Sequence, residues 1–109
     1  MGKFTIFKGS NSQFYFNLKA SNGLKVLASE GYLSKDSCKN GIQSVKENAP
    51  YESRYERKRS INNQYYFVLK AINGQVIGTS EMYVSSQGME DGISVVKSEA
   101  PNASTEDLT

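Results

Sequence analysis

Gln13-Phe14-Tyr15-Phe16-Asn17-Leu18-Lys19-Ala20-Ser21-Asn22-Gly23 and Gln64-Tyr65-Tyr66-Phe67-Val68-Leu69-Lys70-Ala71-Ile72-Asn73-Gly74 are one stretch written twice. With a shift of 51, Gln13–Pro50 falls on Gln64–Pro101 without a gap, and 18 of the 38 pairs are identical. A fixed internal period of this kind means a duplicated structural unit. The segments before the matched blocks, Lys3–Lys8 and Arg54–Arg59, hold equivalent places but share little sequence. A unit of this size buries too little apolar surface to be secure alone. The two copies should therefore pack as one body with a quasi-twofold relation. Residues 1–101 are expected to form a single domain from repeat 1 (3–50) and repeat 2 (54–101). The polar, acidic segment 102–109 is expected to be a disordered tail.

Within each stretch apolar and polar residues alternate, as in a half-buried strand. Phe14, Phe16, Leu18 and Ala20 share one face, and Tyr15, Asn17 and Lys19 the other. Copy two sets Tyr65, Phe67, Leu69 and Ala71 against Tyr66, Val68 and Lys70. Phe4–Phe7 reads as a preceding strand. Asn22-Gly23 and Asn73-Gly74 predict tight type I′ hairpins, with third strands at Lys25–Ser29 and Val76–Ser80. Ser34 and Ser85 read as helix N-caps. Cys38, Ile42, Val45 and Ala49, and then Met89, Ile93, Val96 and Ala100, form helical stripes at spacings of 4, 3 and 4. Pro50 and Pro101 end those helices. Gly41 and Gly92 sit mid-helix, which predicts close approach of another backbone. The fold class is α+β: tandem β-β-β-α repeats in one pseudo-twofold domain, an antiparallel sheet with two helices on one face.

The motif Gln-Phe-Tyr-Phe-Asn-Leu-Lys-Ala-x-Asn-Gly, then Ser-Glu-Gly-Tyr-x-Ser, then Gly-Ile-x-Ser-Val-Lys-x-Asn-Ala-Pro resembles the YegP-like family of small bacterial domains of uncharacterised function. The likeness runs over about residues 3–101. Copy two departs at Met82, Val95 and Glu99, which stand where copy one has Gly31, Ser44 and Asn48. The resemblance implies paired units whose strands join in one sheet with the helices on one side, and exchanged terminal segments in some members. Single-copy relatives reach the same body by dimerising. It implies no established activity.

Composition narrows the chemistry. The 109 residues contain no histidine, which removes histidine acid–base catalysis and the commonest metal ligand. A single cysteine, Cys38, leaves no internal disulfide and no multi-cysteine metal site. It falls where copy two has Met89 and reads as a packing thiol. Net charge is +2, too small for strong non-specific attraction to nucleic acid. No run reaches the ~20 apolar residues that span a bilayer. No signal-peptide core opens the chain, so a cytoplasmic location is expected, without membrane contact. No cofactor or metal is expected.

Four residues form the first candidate site: Glu30 and Tyr32, with Glu81 and Tyr83, in the loops between third strand and helix. Paired carboxylates there suit a cation or a ligand amine, and an enzyme, if there is one, would use these groups. The competing reading packs both tyrosines beneath the helices. Tyr15, Lys19, Tyr66 and Lys70 on the open sheet face resemble a stacking platform for single-stranded nucleic acid. Arg54, Arg57, Lys58 and Arg59 form the one basic cluster, readable as an anion contact or as an edge strand guarded by charge. Ser94-Val95-Val96-Lys97 matches a Ser-x-x-Lys nucleophile pattern, without supporting motifs. The function favoured is a non-catalytic, monomeric binding or interaction module of uncharacterised role and not an enzyme. The alternative is a weak nucleic-acid-associated protein using the basic strand and the Tyr/Lys face.

Overall fold

The computed structural model describes residues 2–109, so Met1, the first residue of the expected domain, lies outside the described residues. The elements run β1 (Lys3–Lys8), β2 (Phe14–Lys19), β3 (Lys25–Ala28), α1 (Lys35–Asn48), β4 (Tyr55–Arg59), β5 (Tyr65–Lys70), β6 (Val76–Thr79), α2 (Ser86–Glu99) and β7 (Ser104–Asp107). Short 3-10 turns at Glu52–Arg54 and Ala100–Asn102 follow the two helices. Arg54, expected to open the second repeat's first strand, belongs to the first of these turns. All seven strands join one sheet in the order β4-β5-β6-β3-β2-β1-β7. Every neighbouring pair is antiparallel except β1 and β7. The sheet is therefore mixed, where a purely antiparallel one was expected.

The expected disordered tail is corrected by β7. Its side chains are polar and exposed, which is why the composition reads as disorder. Its backbone, however, completes the outer edge of β1, and Leu108 donates its N–H to the Ile6 carbonyl at 2.8 Å. Ala103, just upstream, is buried and anchors the strand.

All four hairpins use one loop. Gly23 donates to the Ala20 carbonyl at 2.9 Å and Ala20 to Leu24 at 2.8 Å, which closes a three-residue loop ending in a left-handed residue. Gly23 sits at φ 84° and Gly74 at φ 87°, whereas neither Asn22 nor Asn73 has positive φ. These loops are not the expected two-residue type I′ turns. The asparagines instead accept the N–H of Leu24 and Gln75 at 3.0 Å. In the hairpins between first and second strands Ser12 and Asn63 take the left-handed position. Ser34 and Ser85 cap their helices as expected, accepting from Ser37 at 3.1 Å and Gly88 at 3.0 Å.

Both helical stripes are buried on the sheet face of Phe4, Ile6, Phe16, Leu18, Phe67 and Leu69 in one hydrophobic cluster. Phe14 and Tyr65, at the strand ends, are only partly covered. Each helix also reaches strands of the other half, α1 meeting β5 and β6 and α2 meeting β3. The halves meet where β3 pairs with β6, at Ala28 and Thr79. Beside that contact the repeat is broken: Leu27 in copy one corresponds to Gly78 in copy two. A Cβ on Gly78 would stand 2.6 Å from Leu27 Cδ2. One leucine fills the space on the axis that two would contest.

Gly78→Leu should therefore destabilise the fold by ~1–3 kcal/mol through overpacking. Combining it with Leu27→Gly should cost less than the sum of the single changes, read by urea unfolding. Strict additivity would refute the knob-and-hole junction.

Candidate functional site

Ser29 ends β3 with two roles. Its hydroxyl accepts the Phe16 N–H at 2.9 Å and donates to the Glu30 carbonyl at 2.8 Å. Ser80 repeats both bonds with Phe67 and Glu81 at the same lengths. The chain then returns to pair Tyr32 with Phe14 and Tyr83 with Tyr65 through reciprocal backbone bonds of 2.7–2.8 Å. This geometry drives both tyrosine rings under the helices. Tyr32 stacks on Phe16 at 6.3 Å, and its hydroxyl lies against the bare Cα of Gly41. Tyr83 makes the same approach to Gly92. The mid-helix glycines thus admit a phenol, where another backbone was expected. Desolvation raises the pKa of Tyr32, with smaller contributions from Cys38 and Glu30, and that of Tyr83, with Glu81 contributing.

Glu30 and Glu81 are exposed. Beyond the antiparallel contact of Ala28 and Thr79 the two chains run apart, so the structure does not bring these carboxylates together. Glu81 instead faces Lys25 at 3.6 Å, a half-exposed pair of little energetic weight. Among the described residues no group of three or more His, Cys, Asp or Glu is placed to hold a metal ion. Cys38 is fully buried, and its pKa is pushed up to about 11 by burial first and by Asp107 second.

The open sheet face carries Lys3, Phe7, Tyr15, Asn17 and Lys19 on one half and Glu56, Lys58, Tyr66 and Lys70 on the other. Tyr15 stacks on Phe7 at 5.6 Å, and its hydroxyl accepts from Asn11 at 2.9 Å. Lys70 pairs with Glu56 at 2.5 Å, and Lys58 stands 4.0 Å from the same carboxylate. The hydrogen bond from Lys70, more than the charges of Lys58 and Lys70, holds the Glu56 carboxyl low. β6 and β3 separate the two Tyr/Lys patches, so they lie roughly 14 Å apart at ~4.8 Å per strand.

The basic segment is largely satisfied internally. Arg57 grips Glu90 through Nε at 2.6 Å and Nη2 at 2.9 Å, and Glu52 through Nη1 at 2.6 Å. Glu52 also receives Lys97. Hydrogen bonds from Arg57, then Lys97, lower the Glu52 carboxyl from an ordinary 4.5 to about 2. Arg54 donates to Asn48 at 2.8 Å and lies over the Tyr51 ring. Arg59 covers the Tyr65 ring at 4.6 Å. Tyr55, which follows Arg54 within the cluster, is buried and donates to the Ala49 carbonyl at 2.7 Å.

β4 ends the sheet, with β5 its one neighbour among the described residues. The Ser60 N–H bonds to the Gln64 carbonyl at 2.8 Å, which sets the alternation along the ladder. Glu56 and Lys58 therefore bond inward, while Arg57 and Arg59 direct their backbone N–H and C=O outward; the Tyr55 N–H is taken by the Glu52 carbonyl. β1 has the same phase, set by Gly9 and Gln13 at 2.8 Å, and there Phe4 and Ile6 face β7.

A family described as "Domain of unknown function (DUF1508)" matches residues 10–56 and again 60–107. The chain belongs to this family. Among DUF1508 relatives, the UPF0339 protein YegP of Yersinia pestis is 50% identical, over 100% of this chain and 97% of that one. The UPF0339 protein in the ptx operon 5' region of Stutzerimonas stutzeri is also 50% identical, over 94% of this chain and 92% of its own. The solution NMR structure of Escherichia coli YegP superposes with a TM-score of 0.94 at 47% identity, covering 99% of this chain and 93% of that one. A UPF0339 protein of Shewanella oneidensis gives 0.93 at 44% identity, covering 99% and 92%. The YegP-like resemblance read from the repeat motif thus holds, and so does its α+β architecture. DUF1508 is by its description a family of unknown function, and these names state no reaction, substrate or partner. Among the described residues no helix is long and apolar enough to cross a membrane.

Gly41→Ala would gain up to ~1 kcal/mol from helix propensity alone. Against Tyr32 it should instead lose ~1–3 kcal/mol, and Tyr32→Phe should return part of that loss. Stabilisation by Gly41→Ala would refute the contact. The lowered Glu52 carboxyl stabilises the fold above its ordinary pKa, and that contribution is lost as pH falls from about 4.5 to about 2. Melting temperature should drop over this window, and less steeply in Glu52→Gln. Identical profiles would show that the ion cluster contributes nothing.

Proposed function

We propose that this DUF1508 protein is a non-catalytic interaction module that recruits an extended, acidic peptide as an added strand on the outer edge of β4. One observation carries the reading. The equivalent edge of β1 is taken by β7, in parallel, whereas at Arg57 and Arg59 β4 presents the same outward groups with no strand against them among the described residues. A groove of about 230 Å³ lined by Arg57, Lys58, Arg59, Tyr65, Ser86 and Met89 adjoins that edge and can receive side chains. Strand addition draws affinity from the backbone and specificity from such pockets.

Charge selects the occupant. β7 is Ser-Thr-Glu-Asp, with Glu106 on Lys3 at 3.3 Å and Asp107 on Lys35 at 2.9 Å. β4 carries three cations and one carboxylate. Two copies paired edge to edge would oppose like charges, which favours a monomer and an acidic partner. The non-catalytic part of the reading is supported by the divergence of Glu30 from Glu81, the buried thiol of Cys38 and the engagement of Lys97 by Glu52. Cytoplasmic placement suits an unpaired cysteine. Nucleic acid on Arg54, Arg57, Lys58, Arg59 and the Tyr/Lys patches is less favoured, since β6 and β3 hold the two patches apart and Lys70 already faces Glu56.

The test titrates the isotope-labelled protein with an acetylated peptide copying residues 103–109. Amide shifts and slowed hydrogen exchange should appear at Arg57 and Arg59, and the double variant Lys58→Glu, Arg59→Glu should weaken binding at least tenfold. The proposal fails if millimolar peptide gives no protection, if the shifts fall on β1, if dilution of the protein alone changes β4, or if single-stranded DNA shifts the same amides as strongly.

A further inference from the structure

The two halves differ most in chemistry at one place, and the difference is concerted. Beside α2, Arg57, Glu90, Lys97 and Glu52 close into an ionic cluster. The residues at the equivalent positions of the first half are Ile6, Lys39, Lys46 and, after the helix of the other repeat, Ala103. An arginine is exchanged for isoleucine and one glutamate for alanine, while the other glutamate gives way to lysine. Where the second half is filled, the first half has a groove of about 360 Å³ between α1 and strands β1 and β7. Ile6 and Ile42 lie beneath it, Lys39, Gln43 and Lys46 rise from α1, and Thr105 and Asp107 form the β7 wall.

The lysines lack the partners that their counterparts possess. Among the described residues neither Lys39 nor Lys46 has a carboxylate within salt-bridge distance, and Lys46 rests over the Phe4 ring at 5.9 Å. Gln43 gives its amide to Glu47 at 3.1 Å. Asp107 is pinned by Lys35 and by Thr109. Its negative charge in the wall opposes a dianion and leaves room for a single charge between the two lysines.

We propose that this groove binds a small organic acid, with one carboxylate held by Lys39 and Lys46 and an apolar body laid along Ile42 and the lysine stems. The site uses no part of the β4 edge, so it stands or falls independently of strand addition.

Octanoate serves as the probe, with octanol and acetate as arms that keep only its body or only its charge. Titrated into the full labelled chain, octanoate should give saturable shifts at Lys39, Gln43, Lys46 and Thr105. Octanol and acetate should each bind at least tenfold more weakly. Lys39→Glu, the residue that copy two carries at this position, should weaken octanoate at least tenfold with the amide spectrum otherwise folded, and Lys39→Gln should weaken it less. The proposal is overturned if octanol or inorganic phosphate matches octanoate, if the shifts scatter over the open sheet face, or if Lys39→Glu leaves the affinity unchanged.

Discussion

The contact between β3 and β6 is short, one paired position at Ala28 and Thr79, yet it turns two small sheets into one. A half of about fifty residues cannot bury enough apolar surface to offset the entropy of ordering its chain. The shared sheet removes that limit, because each helix can then cover strands of both halves. So narrow a junction needs shape as well as hydrogen bonds. Leu27 occupies the axis because Gly78 leaves it vacant, a solution open to a tandem chain and closed to two identical copies.

The same logic of space governs the loop after each third strand. Ser29 and Ser80 satisfy the backbone where the ladder ends. The returning chain then directs a tyrosine beneath the helix, and the helix must carry glycine where the phenol arrives. Serine, tyrosine and glycine are thus three parts of one packing device. This accounts for their presence in both copies without a ligand.

Most of the fold was legible because duplication tests each pattern twice. Alternation in Phe14–Ala20 and its copy, the two capping serines and the two helical stripes all survive in the structure. What escaped was information carried by backbone rather than side chain. Ser104–Asp107 looks disordered by composition, yet its partner is the unpaired edge of β1. Asn22-Gly23 fits two loop types, and only the φ of Gly23 separates them. At the candidate sites, sequence singled out charged residues but not the groups they meet. Arg57 meets Glu90 across 33 positions and Lys97 meets Glu52 across 45, separations that local reasoning does not bridge.

Identity between the copies therefore marks what both halves require, and divergence, apart from Leu27 and Gly78 on the axis, marks where the fold leaves freedom. The basic strand illustrates the point. In its place in copy one stands Phe4-Thr5-Ile6-Phe7-Lys8, whose outer edge is sealed by β7. Among the described residues no strand seals the corresponding edge of copy two, and that edge is charged instead. Charge on an open edge repels its own kind while leaving the outward backbone groups of Arg57 and Arg59 without a neighbouring strand among the described residues. An edge that only needed protection could have been shortened, bulged or closed with proline. β4 instead keeps five regular residues in register with β5, a regularity that protection alone does not require.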